Sequence, residues 1–267
     1  MNEHYTKLID EILASRKYRG LGIPRETVSS LFVQESELYK NEKELLKAVK
    51  EKMHHLVAPY LGDPDYAQAF SELERACTEG SEAIKSFCES LLRAHTSTRE
   101  RLPSLTEFYQ SIFAVTGKPD VILDLACGLH PFGLPWMDLP AGARYHAYDI
   151  HQPRVDLINH FLKCLHFAEL AEVRDILVEP PEVAADLAFF LKEAHRLDAR
   201  RAGANRDLWQ ALNCRWLVVS LPAHSMSGKH DLRARHQRLV DRILKGSQWL
   251  VETLELGDEL VYCINKT

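Results

Sequence analysis

The sequence predicts an α/β fold behind a helical N-terminal half, and three observations carry that prediction. Helical periodicity alone runs as far as about residue 116; short apolar runs then alternate with helical stretches; and the C-terminus ends in two apolar runs across a Gly-Asp turn. The 267 residues suffice for one large domain or for a smaller domain with a sizeable appendage. Apolar residues at 46% and charged residues at 27% are ordinary for a globular chain and exclude disordered, collagen-like and coiled-coil classes. No apolar run approaches the roughly 20 residues of a bilayer span. The opening MNEHYTKLIDEILASRKYRG is charged and lacks the apolar core of a signal peptide, so a cytoplasmic protein is expected. Cys77, Cys88, Cys127, Cys164, Cys214 and Cys263 form no C-x-x-C pair and read as reduced thiols.

Taken in order, Leu8, Ile12 and Leu13 recur at helical spacing, and Pro24 with Glu26 opens a second helix. A third runs from about Asn41 to Val57, with Leu45, Leu46, Val49, Met53 and Leu56 on one stripe. Asp63-Pro64 opens a fourth, Ser81 to Leu92 is a fifth, and the last spans about Ser104 to Val115. After Gly117-Lys118-Pro119 the strand signals are Val121–Leu125, Tyr145–Ile150, Val173–Ile176, Leu187–Leu191 and Trp216–Leu221. Trp249–Leu254 and Leu260–Ile264, joined through Gly257-Asp258, make a hairpin whose last strand runs antiparallel to its neighbour. Alternating units closed by a hairpin form the seven-stranded, Rossmann-like layout of a class I S-adenosylmethionine-dependent methyltransferase. The expected division is a helical domain over residues 1–116 and a cofactor-binding domain over 117–267.

The chemistry gathers at the first strand–turn segment, VILDLACGLHPFGLPW, followed by an expected apolar helix. Asp124 lies near the strand end, and Ala126 and Gly128 form a turn whose small residues allow a ligand close to the backbone. Asp149, at the end of the second strand, is placed to accept from both hydroxyls of a ribose. Asp175, one strand later, is placed for an adenine amino group. This layout leaves a nicotinamide enzyme open, although the turn has one glycine where that fingerprint has three. His224, His230 and His236 have no carboxylate at ligand spacing, so no metal site is expected. Ser220 and Ser225 lack a nucleophile elbow.

Charge is unevenly distributed. Residues 196–245 carry a net +7, which leaves −12 on the rest of a chain of net −5. Such a local excess is either a polyanion-binding face or two solvated helix faces.

ILDLACGLHPFGLPWM closely resembles the cofactor loop of the aminoglycoside-resistance 16S rRNA (guanine-N7) methyltransferases, the Arm family. ILASRKYRGL, RAHTSTRERLPSLTEFYQSIF, YHAYDIHQ, VVSLPAHSMSGK and GDELVYCI resemble that family's segments in the same order, so the likeness spans nearly the whole chain. The resemblance implies transfer of a methyl group from S-adenosylmethionine to N7 of a decoding-site guanine. The implied substrate is 16S rRNA within the assembled small (30S) subunit, and the implied outcome is aminoglycoside resistance.

Carried over by motif, the cofactor contacts are Tyr60, His95, Thr96, Ser97, Arg101, Ala126, Gly128, Asp149, Asp175 and Leu191, with Arg101 meeting the methionine carboxylate. Lys192 falls where the family has a lysine beside cofactor and target, for contact with phosphate or guanine O6. Guanine N7 carries a lone pair and no proton, so the implied reaction needs no general base. The basic residues expected on RNA are Arg16, Lys17, Arg19, Arg93, Arg99, Lys229, Arg233, Arg235 and Arg238, in a monomer. Two stretches depart from the family: Glu193-Ala194-His195 replaces its Leu-Pro, and residues 230–237 replace a Gly-Met-Glu run. Both flank the place where the target base enters. They keep open a methyltransferase of another RNA or small molecule, or a non-catalytic ribosome-binding factor.

Overall fold

The computed structural model describes residues 3–58, 63–225 and 230–267. Among the described residues seven α-helices come first: α1 (Glu3–Ala14), α2 (Arg25–Leu38), α3 (Glu42–Val57), α4 (Tyr66–Glu79), α5 (Ser81–Ala94), the short α6 (Thr96–Arg99) and α7 (Leu105–Thr116). α3 starts because the Asn41 side chain accepts from the amides of Lys43 and Glu44, and it buries Leu45, Val49, Met53 and Val57 at four-residue spacing. Asp65 starts α4 in the same way, through Ala67 and Gln68.

β1 (Val121–Leu125), β2 (Arg144–Asp149), β3 (Ala171–Val173), β4 (Ala185–Leu191) and β5 (Cys214–Pro222) are parallel. β7 (Glu259–Asn265) runs antiparallel to β5 and to β6 (Leu250–Leu256), giving the order β3-β2-β1-β4-β5-β7-β6. Gly257, at φ +59, makes the hairpin turn. α8 (Gln152–Cys164), α9 (Ala194–Arg200), α10 (Ala204–Ala211) and α11 (Arg233–Leu244) complete the chain. No helix among the described residues is long and apolar enough to cross a membrane.

Three expectations are corrected. The helix foreseen after Gly128 is a 3-10 segment, His130–Trp136, because Pro135 inside it removes an amide donor and crowds the preceding turn. The third strand ends at Val173 rather than Ile176: Asp175 accepts from the Leu177 amide and turns the chain away. The cysteines are not all thiols. α4 and α8 pack side by side, bring the Cα atoms of Cys77 and Cys164 within 5.8 Å, and carry a disulfide there. Cys88, Cys127, Cys214 and Cys263 are free and buried.

The helical half contains two packing units. α1–α3 enclose their own core of Ile9, Val28, Leu31, Phe32, Val49 and Met53. α4–α7 instead share a core with the sheet, through Leu73, Cys88, Phe108, Tyr109 and Ile112 packed with Phe132, Tyr145, Phe161 and Phe189. Polar contacts join the first unit to the rest: the Gln152 amide donates to Leu21 O at 3.0 Å, and Lys52 to Arg200 O at 3.4 Å.

Candidate active site

β1 delivers the chain into a turn with left-handed backbone at Ala126 (φ +49) and Gly128 (φ +55). A non-glycine residue in that region is strained, and such strain concentrates at functional sites. Asp124, just before the turn, is buried and accepts from Tyr145 Oη at 2.6 Å and His130 Nδ1 at 2.9 Å, so it braces the turn from beneath. Burial pushes the Cys127 thiol well above its ordinary range, and a neutral, enclosed thiol is no nucleophile.

Sheet order puts β1 between β2 and β4, where successive connections leave in opposite directions and open a crevice. A cavity of about 1020 Å³ occupies it. His95, Arg101, Ala126, Gly128, Asp149, Asp175, Leu191 and Lys192, all expected at the site, line this single cavity. The expectation for Tyr60 lies outside the described residues, as do the side chains of Thr96 and Ser97.

The charged groups expected at the site are held by other residues of the chain. Asp149 accepts from the Gly128 amide at 3.0 Å, from Arg154 Nη1 at 2.9 Å and from the His151 amide at 3.0 Å. Arg154 is itself buried, and its Nη2 reaches both oxygens of Asp63 at 2.7 Å. Asp175 is clamped by Arg200, with Nη1 and Nη2 at 2.9 and 2.6 Å from its two oxygens. Arg101 is buried on Glu259, with Nε and Nη2 at 2.6 and 2.8 Å from the carboxylate. Its Nη1 has no partner among the described residues, so a second carboxylate could still be held there. Burial alone would push the Glu259 carboxyl up; Arg101 and then Lys192 hold it below its ordinary value instead.

Lys192 closes β4 in a left-handed conformation, φ +60, and its ammonium lies 2.6 Å from Glu100 and 3.2 Å from Glu259. Sequence reasoning missed Asp63, Arg154, Arg200 and Glu259. Arg101 and Glu259 are 158 residues apart, and no local pattern joins them. Arg154, one helical turn into α8 and five residues after Asp149, was the partner that spacing offered.

The donor set fits S-adenosylmethionine. Asp149 lines the crevice with a carboxylate able to accept from hydroxyls, the turn at 126–128 leaves the backbone approachable, and Arg101 keeps donors for a carboxylate. Of the basic residues expected on RNA, Arg16, Lys17, Arg19, Arg93, Arg99, Arg235 and Arg238 are exposed. Arg233 pairs with Asp231 at 3.3 Å and Glu255 at 3.7 Å, and Lys229 lies outside the described residues.

The chain is similar to known proteins over most of its length. A family model described as ribosomal RNA methyltransferase (FmrO) matches residues 14–263. The chain is 30% identical over 259 residues to a 16S rRNA (guanine(1405)-N(7))-methyltransferase of Serratia marcescens, covering 97% of each protein. It is 31% identical over 231 residues to a protein of the same name from Frankia casuarinae, covering 85% of this chain and 81% of that one. Among solved structures, 16S rRNA methyltransferase RmtF in complex with S-adenosyl-L-homocysteine superposes with a TM-score of 0.81 at 27% identity, over 100% of both chains.

Proposed function

The chain belongs to the ribosomal RNA methyltransferase (FmrO) family, and on that premise we propose that it methylates N7 of guanine 1405 of 16S rRNA, the reaction its relatives are named for, and that it does so within the assembled small subunit. It does so as a cytoplasmic monomer, and the modification gives aminoglycoside resistance. The observation that carries this reading is the crevice beside β1, where Asp149, Arg101, the turn at 126–128 and Lys192 converge on one cavity.

S-adenosylmethionine, bound there, supplies a methyl group activated by its sulfonium. The chain's own residues do the positioning. Asp149 orients the ribose through a carboxylate that Arg154 and two amides hold still. Arg101 offers Nη1 to the methionine carboxylate. Lys192, held by Glu100 and Glu259, faces the incoming nucleotide from the end of β4. No proton has to leave N7, so rate enhancement comes from orientation, up to several kcal/mol. A stacked guanine must swing out to enter the cavity.

Residues 1–116 serve as the docking half. Arg16, Lys17 and Arg19 at one point, Arg93 and Arg99 at another, and Arg235 and Arg238 on α11 provide exposed positive charge for phosphates on several RNA strands. Arg233, tied to two carboxylates, contributes less than Arg235. Incubation with tritiated cofactor and small subunits, followed by borohydride reduction and aniline cleavage, should place the label at one guanine. Label elsewhere, or none, would sink the proposal.

A further inference from the structure

We propose that Glu193 reads the target base, accepting hydrogen bonds from N1–H and the 2-amino group of the guanine while N7 faces the methyl donor; this rests on the function proposed above.

The inference starts from the carboxylates around the cavity. Asp124, Asp149, Asp175 and Glu259 are buried and bound to named partners, and Glu100 is bound to Lys192. Glu193 is different. Its Oε1 accepts from Arg196 Nη1 at 2.8 Å, while its Oε2 has no partner among the described residues. Although it occupies the N-cap of α9, its side chain makes no capping bond. It lines the cavity and is 21% exposed. Burial pushes this carboxyl up to about 7 against the pull of Arg196, as befits an acid awaiting donors.

Topology says which donors. Asp149 and Asp175 follow β2 and β3, on one side of β1; Glu193 follows β4, on the other. The ribose and adenine end of the cofactor takes the first side, and the incoming nucleotide the second. A carboxylate in the path of a polyanion repels phosphate, so its favourable partners there are base N–H groups. On guanine, N1–H and the 2-amino group lie side by side and match one carboxylate, and they sit across the purine from N7. An extruded base is read in this way, by its Watson–Crick edge. At about 1020 Å³ the cavity lies at the upper end of the range of about 300–1,000 Å³ for small-molecule sites.

On small subunits, Glu193→Ala and Glu193→Gln should lower kcat/KM about 10–100-fold, the scale of one bidentate base contact. Calorimetric affinity for S-adenosylhomocysteine should change less than about twofold. On subunits reconstituted with inosine, which lacks the 2-amino group, at the target position, the wild type should slow about tenfold and Glu193→Ala should treat both bases alike. Wild-type kcat/KM in Glu193→Gln overturns the proposal. So does cofactor binding about tenfold weaker in that variant, which would assign the carboxylate to the methionine ammonium. A wild-type enzyme that labels no guanine in the subunit defeats the function proposed above, and this inference with it. Normal labelling by both wild type and Glu193→Gln defeats this inference alone.

Discussion

α1–α3 and α4–α7 belong to one helical stretch of the sequence, yet they are attached to the sheet by different physics. The first unit closes a core of its own and meets the rest through polar contacts such as Leu21 O with the Gln152 amide. The second unit shares its core with the sheet and is tied to α8 at three levels: Asp63 and Tyr66 on Arg154, Phe70 against His160, and Cys77 bonded to Cys164. α8 begins just after Asp149, so these ties end beside a carboxylate that lines the cavity. The contrast teaches that only the second unit shares an apolar core with the sheet, whereas the first reaches the candidate site at its edge, through Leu56 on the cavity wall and Lys52 on Arg200.

The strongest way to break the contrast is at Arg154. Arg154→Ala would leave Asp63 and Asp149 buried without their counter-ion, and losing one partner of a buried pair costs about 3–5 kcal/mol. Urea unfolding should register that loss, and Arg154→Leu with Asp63→Asn should recover part of it. A fall below about 1 kcal/mol would mean that the network is not a tie.

Next comes the disulfide, which closes a loop of 87 residues. Under oxidising conditions Cys77→Ser should reduce unfolding stability by about 2–4 kcal/mol, and with dithiothreitol present it should match the wild type. Equal stability in both conditions would remove the covalent level of attachment.

Asp149→Ala should weaken S-adenosylmethionine binding by roughly 1.5–3 kcal/mol, the scale of charge-assisted hydrogen bonds. Unchanged calorimetric affinity in the folded variant would refute its role at the ribose. The smallest effect on the cofactor, none, is expected on α1–α3. Reversing Arg16, Lys17 and Arg19 to Glu should weaken binding to small subunits and flatten its salt dependence, leaving cofactor affinity untouched. If binding stays at the wild-type level across several salt concentrations, the first unit is not the docking element.

The sheet was legible because short apolar runs and turn residues are local signals. Gly257-Asp258 announced the hairpin, and the Leu45–Val49–Met53 stripe announced α3. The turn at 126–128 and Asp149 were legible for the same reason, since strand end, small residues and acid follow at fixed spacing. The partners of those groups were not. Arg101 meets Glu259, and Asp175 meets Arg200, only after the chain has crossed the sheet. The disulfide was hidden because α4 and α8 become neighbours through tertiary packing, while cysteine spacing carried no hint of it. The helix expected after Gly128 failed for a local reason, Pro135 inside HPFGLPW.

The left-handed backbone at Lys192 sets stability and chemistry against each other at one residue. For any side chain with a Cβ this conformation costs roughly 1–2 kcal/mol, and glycine would remove the cost. A search for hardier variants scored on melting temperature alone would therefore drift toward glycine at position 192 and discard the ammonium now held by Glu100 and Glu259. Any engineering of this enzyme for durability has to keep methyl transfer in the screen, because the cheapest gain in stability lies on the wall of the candidate site.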